Sequence, residues 1–127
     1  MAYSILLVDD SPHIRSILRS YFEHDPDWRV CGEAENGEVA LQRVKELQPD
    51  IVLLDFQMPI MNGLEAARRI RLLAPGITML MFTMHYSEQL VKEAQAAGIK
   101  EVLSKSADIA NHLLLTLRNV CQLRAEG

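Results

Sequence analysis

The chain reads as an α/β domain with five parallel strands in the order 2-1-3-4-5, each followed by a helix. Three observations predict this class. Short apolar runs at Ile5–Val8, Ile51–Leu54 and Met79–Phe82 carry almost no polar residue, the pattern of strands covered on both faces. Segments of helix length with 3.6-residue periodicity separate them. At 127 residues there is room for one such doubly wound sheet and little else.

The elements follow in order. Ile5-Leu6-Leu7-Val8 forms the first strand and runs into Asp9-Asp10. Ser11-Pro12 supplies an N-cap and an N1 proline, and Ile14, Ile17, Leu18, Tyr21 and Phe22 keep helical spacing until Asp25-Pro26-Asp27. Arg29 to Ala34 is a second, partly polar strand, which suits a sheet edge. Asn36-Gly37 opens a helix carrying Val39, Ala40, Val44 and Leu47, and Pro49 stops it. Ile51-Val52-Leu53-Leu54 runs into Asp55, and a loop from Phe56 to Gly63 follows, with Pro59 and Asn62-Gly63 as turn residues.

Leu64, Ala67, Ile70 and Leu73 mark the third helix, closed by Pro75-Gly76. Met79–Phe82 leads into Thr83. Leu90, Val91, Ala94 and Ala97 mark the fourth helix, and Gly98 stands at its C′ position. Val102-Leu103-Ser104 leads into Lys105, and Ile109, Leu113, Leu117, Val120 and Cys121 mark the last helix. Right-handed crossovers place the carboxyl ends of all strands at one rim, where open α/β sheets bind ligands. Asp9, Asp10, Asp55, Thr83 and Lys105 should meet there.

Composition narrows the function. The net charge is −4, against binding of nucleic acid by this domain. Arg68, Arg69 and Arg71 read as a solvated helix face. No apolar stretch is long enough to span a bilayer, and the start of the chain has no secretory pattern, so the expected location is the cytoplasm. Cys31 and Cys121 lack ligand spacing and read as reduced, buried thiols. The methionines at 58, 61, 79, 81 and 84 read as packing, and His13, His24 and His112 as surface residues. One domain, 1–127, is expected with no output domain, either stand-alone or part of a longer protein. Leu113, Leu114 and Leu115 exceed what one helix face needs, which suits either extra core or a partner or homodimer face.

The rim residues carry the chemistry. One acid at a strand end is explained by helix capping; two beside a third repel one another unless a cation sits among them, and hard oxygen ligands suit Mg²⁺. A carboxylate such as Asp55 can attack phosphorus. Thr83 and Lys105 offer a hydroxyl donor and an ammonium to a phosphoryl group, and His85 stands near the mouth of the site.

ILLVDDSP, IVLLDFQMPIMNGLE, MLMFTMH and AAGIKEVLSK, in this order and spacing, resemble the receiver domain of bacterial two-component response regulators, a flavodoxin-like fold. The resemblance implies that Asp55 is the phosphoacceptor, that Asp9, Asp10, Asp55 and the backbone carbonyl of Gln57 hold Mg²⁺, and that Thr83 and Lys105 bind the phosphoryl group and switch. The donor would be a phosphohistidine on a sensor histidine kinase or a phosphotransfer protein. Gln57 and His85 flank the path of hydrolytic water and would tune the phosphoryl lifetime. Thr-Met-His and Leu-Ser-Lys-Ser are similar to the LuxR/NarL-type subclass, many of whose members carry a C-terminal DNA-binding domain that is missing here.

Two positions depart from the family pattern. Val102 stands where an aromatic is usual, which puts ring-coupled switching in question. Ser106 stands where many members have proline, so a trans bond is expected, with Ser106 capping the last helix. Two other readings use the same fold: an aspartate-nucleophile phosphatase or phosphotransferase, against which stand Gln57 in place of a second acid and the lack of room for a cap, and a phosphorylation-independent interaction module. An FMN binder would need a Ser/Thr/Gly-rich cradle after the first strand, which is absent.

Overall fold

The computed structural model describes the backbone of residues 2–105 and 109–126, with side chains for 2–105 and 113–121. The strands are β1 (Tyr3–Val8), β2 (Trp28–Ala34), β3 (Ile51–Leu54), β4 (Thr78–Thr83) and β5 (Glu101–Ser104). The helices are α1 (Pro12–Glu23), α2 (Gly37–Leu47), α3 (Gly63–Leu73), α4 (Glu88–Ala96) and α5 (Ile109–Glu126). All strand pairs are parallel and the order is β2-β1-β3-β4-β5, as the sequence predicts.

Alternate residues of each inner strand feed opposite faces of the sheet. Ile5, Leu7, Ile51, Leu53, Leu80 and Phe82 pack with Leu18 and Phe22 of α1 and Leu113 and Leu117 of α5. Leu6, Val8, Val52, Leu54, Met79 and Met81 pack on the other face with residues of α2, α3 and α4. The helix starts follow local chemistry: Ser11, Asn36, Asn62 and Ser87 each accept the N–H three residues on. At the end of α4, Gly98 adopts φ +94°, its N–H donates to Gln95 and that of Ile99 to Ala94, which closes the helix in a Schellman motif.

Several expectations are corrected. β1 begins at Tyr3, because Tyr3 pairs with Trp28 at the start of β2. Cys121 is buried, but Cys31 is only half-buried. It sits where the β1–β2 register shifts between Ile5 and Leu6, and its Sγ reaches the Ile5 carbonyl at 3.4 Å. Leu47 and Leu73 end their helices exposed, and Met84 is 65% exposed where packing was expected. On α5, Leu113 is buried, Leu114 packs at the edge of the core, and Leu115 is 59% exposed. His13 and His24 are exposed; the side chain of His112 and the Ser106 cap and peptide bond lie outside the described residues.

Arg118 ties α5 to the turn between α1 and β2. It donates to Asp27 at 2.9 Å and to Asp25, and its guanidinium lies 5.8 Å from the centre of the Trp28 ring.

Candidate phosphoryl and metal site

Sheet order decides which side chains meet. β1 and β3 are neighbours, Val8 opposite Leu54, so Asp9 and Asp55 emerge side by side; the Asp55 N–H donates to the Val8 carbonyl at 2.9 Å. Lys105 follows β5, two strands from Asp55, a gap that a lysine side chain can bridge. Its Nζ donates to Asp9 Oδ2 at 2.6 Å and to Asp55 Oδ2 at 3.1 Å. The Phe82 ring lies 5.8 Å from the same ammonium.

Each carboxylate is also held by backbone. The Ser11 N–H donates to Asp9 Oδ1 at 2.9 Å and the Phe56 N–H to Asp55 Oδ1 at 2.7 Å. Asp9 and Asp55 are buried, at 3% and 8% exposure, while Asp10 faces solvent. Burial pushes the Asp55 carboxyl above its ordinary range and the Asp9 charge adds to this, against the pull of Lys105. Burial works against the Lys105 charge, yet the hydrogen bond to Asp9 and the charges of both acids prevail and hold its ammonium above the usual lysine value.

One oxygen from each of Asp9, Asp10 and Asp55 lies within 4.8 Å of the others. They open on a cavity of about 600 Å³ whose lining includes Gln57, Met58, Met84, His85 and Lys105. This donor set fits a hard divalent cation with room for water. The placement of Lys105 supports the fit, since two buried carboxylates already draw a cation between them.

Asp9, Asp10, Asp55, Gln57, His85 and Lys105 thus converge. Thr83 is adjacent but differently engaged. It is fully buried, stands outside the cavity lining, and its Oγ1 accepts the His85 N–H at 3.0 Å. Val102 is half-buried against the core under α4.

Arg15 was not anticipated. It donates to the Asp9 carbonyl at 2.5 Å and to Glu33 at 2.8 Å, bracing the turn that carries the acids. Its spacing four residues after the Ser11 cap was visible; its partner Glu33, on a different strand, was not.

Gly63 sets the other wall. Its N–H donates to the Phe56 carbonyl at 2.8 Å, and a Cβ added there would stand 2.1 Å from the Asp55 carbonyl oxygen. Backbone against backbone cannot yield as a flexible side chain would. Gly63→Ala is expected to cost about 2–3 kcal/mol by forcing the first turn of α3 off the end of β3. Urea denaturation of the metal-free protein measures it; an unchanged midpoint would show that the loop absorbs the methyl group.

The described helices include none long and apolar enough to cross a membrane. A family model described as "Response regulator receiver domain" matches residues 5–117. The chemotaxis protein CheY of Halobacterium salinarum is 38% identical over 105 residues, covering 83% of this chain and 86% of that protein. A protein-glutamate methylesterase/protein-glutamine glutaminase of Pseudoalteromonas atlantica is 48% identical over 66 residues, but the match spans only 17% of that longer protein. Among solved structures, a two-component response regulator of the LuxR family from Aurantimonas superposes with a TM-score of 0.89 at 33% identity, covering 94% of this chain and 85% of that one. With sequence, fold and the acidic rim in agreement, this chain belongs to the response regulator receiver domain family.

Proposed function

We propose that Asp55 is the phosphoacceptor of a two-component signalling domain and that a phosphohistidine on a sensor kinase or phosphotransfer protein is the donor. The observation that carries this is Asp55 itself: buried beside Asp9, in contact with Lys105, and open to a cavity large enough for a phosphoryl group. An Asp55 carboxylate oxygen attacks phosphorus, the phosphorus–nitrogen bond of the donor breaks, and the imidazole leaves with that electron pair. Asp9, Asp10, Asp55 and the Gln57 carbonyl would hold Mg²⁺, which when bound offsets carboxylate repulsion and the charge of incoming phosphate.

The product carries more negative charge where a carboxylate stood. Lys105 already touches Asp55 and needs to move little to reach the new oxygens. The Thr83 hydroxyl accepts the His85 N–H and keeps its own proton to donate to a phosphoryl oxygen. Its shift, with that of the turn after β4, biases the surface of α4, β5 and α5 between two states. Val102 gives that surface an aliphatic pivot in place of an aromatic one. Gln57 and His85 line the entrance and are placed to tune hydrolysis.

In this reading the domain signals rather than turns over a substrate, and it works in the cytoplasm. It comprises residues 1–127 and belongs to the LuxR/NarL-type subclass, a placement the Aurantimonas structure supports. Its output is a homodimer or partner contact, or a DNA-binding domain in a longer protein.

Acetyl phosphate with Mg²⁺ tests the central step. Intact-mass analysis should show one added phosphoryl group, mapped to the peptide bearing Asp55. A protein that gains no mass, or gains it elsewhere, overturns the assignment.

A further inference from the structure

Arg15 stands one turn into α1, and its own N–H donates to the Ser11 carbonyl at 3.1 Å. A positive charge this close to a helix N-terminus is placed against the helix dipole. The side chain is also only 16% exposed, where that of Arg19, one turn on, is 37% exposed. Two fixed partners offset both costs. Side chains of a helix point back toward its N-terminus, so the guanidinium reaches over the first turn to the end of β1. Its Nε donates to Glu33 Oε1 at 2.8 Å and its Nη1 to the Asp9 carbonyl at 2.5 Å. Glu33, on β2, gives its other oxygen to Arg19. Burial pushes the Glu33 carboxyl up, yet the hydrogen bonds from Arg19 and Arg15 prevail and hold it below the ordinary carboxylate range, so this anchor stays ionised at neutral pH.

The Asp9 carbonyl matters because of what shares its plane. That oxygen belongs to the peptide group that carries the Asp10 N–H, and a planar peptide turns as one unit. Rotating it swings the Asp10 Cα and the carboxylate with it. The other two acids have side-chain anchors of their own: Asp9 holds the Ser11 N–H and Lys105, and Asp55 holds the Phe56 N–H and Lys105. Asp10 faces solvent, and its carboxylate has no hydrogen bond or ion pair among the described residues. Yet one of its oxygens lies within 4.8 Å of those of Asp9 and Asp55. The exposed acid is therefore presented to the site by its backbone. From the sheet side, the Ala34 carbonyl holds the Asp9 N–H at 3.0 Å; from the helix side, Arg15 holds the Asp9 carbonyl.

We propose that Arg15 is a positioning residue for the cation site: through the Asp9 carbonyl it fixes the direction of the Asp10 carboxylate, with Glu33 holding its guanidinium in place. This rests on the reading of Asp9, Asp10 and Asp55 as ligands of a divalent cation. Charge alone predicts the opposite sign. A guanidinium beside a cation site repels the cation, so removing an arginine that acted only by its field would tighten binding. Positioning predicts that removal loosens binding, because the third carboxylate must then be ordered when the cation arrives. Geometry also separates arginine from lysine. The two bonds leave from Nε and Nη1 of one rigid plane, and an ammonium does not reproduce that fork.

A test titrates ¹⁵N-labelled, metal-free protein with MgCl₂ at fixed ionic strength and follows the amide shifts. Arg15→Met keeps the aliphatic stem and should bind Mg²⁺ about tenfold more weakly than wild type. Arg15→Lys should fall between the two. Arg19→Met takes an equal charge from the same carboxylate without touching Asp9, and should bind Mg²⁺ as wild type does. Binding by Arg15→Met that equals or exceeds wild type would overturn the proposal, and so would an equal loss in Arg19→Met. Should Arg15→Met fail to fold by circular dichroism, Arg15→Lys carries the same decision, with wild-type affinity as the overturning result. A wild type that binds no Mg²⁺ overturns it as well. Labelling by acetyl phosphate is read separately. A wild type that binds Mg²⁺ yet gains no phosphoryl mass removes Asp55 as the acceptor, and the Mg²⁺ comparison still decides the role of Arg15.

Discussion

Asp55→Asn is expected to take up no phosphoryl mass from acetyl phosphate and, without a divalent cation at neutral pH, to be more stable than the wild type. The first outcome follows from removing the attacking oxygen anion. The second follows from the environment of the carboxylate. Burial raises the Asp55 pKa, with the Asp9 charge adding to it, so the folded protein holds this proton more firmly than the unfolded chain does. Stability therefore falls as pH rises through the window between the unfolded value and the raised folded one, and above that window the loss is complete. Asparagine keeps the shape, has no such slope, and leaves Lys105 its 2.6 Å bond to Asp9. Urea midpoints measured against pH in EDTA should show a flatter profile for the variant and a higher midpoint above the window. Mg²⁺ should stabilise the variant less, since one ligand of the site has lost its charge; at least tenfold weaker binding corresponds to about 1.4 kcal/mol. A variant that is labelled as well as wild type would remove Asp55 from the chemistry.

The inner strands were readable because they are buried on both faces, and runs such as Ile51–Leu54 leave no other interpretation at that length. Helix starts were readable where a capping residue precedes a periodic segment, as at Ser11 and Asn36. The errors fall at edges. Tyr3 and Trp28 extend β1 and β2 because they pair across the sheet and stack with ring centres 5.8 Å apart, a non-local contact with no local signature. Leu73 and Met84 keep the periodicity of buried residues but stand past the point where the sheet covers them.

The site was more legible than its details. Once the strand order is known, the ends of β1 and β3 must be neighbours and the end of β5 lies two strands from β3, within reach of a lysine side chain, so Asp9, Asp55 and Lys105 could be grouped without coordinates. What the order does not give is rotation at the strand end. Thr83 satisfies the same rule, yet its hydroxyl closes the turn to His85 and stands outside the cavity lining. Arg15 supports the acids through a carbonyl oxygen, and backbone partners of this kind leave no mark on residue type.

Lys105→Ala should show how far the fold depends on charge balance at this rim. The ammonium lies between two buried carboxylates, with side-chain exposures of 6% for the lysine, 4% for Asp9 and 10% for Asp55. Removing one member of a buried ionic cluster leaves the others unpaired, at a typical cost of about 3–5 kcal/mol. Uptake of a proton by Asp55 will relieve part of this, because its pKa rises further once the opposing cation is gone. The expected loss in EDTA is therefore about 3 kcal/mol at neutral pH and smaller in mild acid, so the fall in stability with rising pH should be steeper than in wild type. The same carboxylates then lack their internal counterion, and Mg²⁺ should recover more stability in the variant than it adds to wild type. Denaturation curves with and without Mg²⁺, at two pH values, separate these effects. If the variant loses little in EDTA and responds to Mg²⁺ no more than wild type, the cation demand of this site does not come from Asp9 and Asp55, and the fit to a divalent metal fails with it.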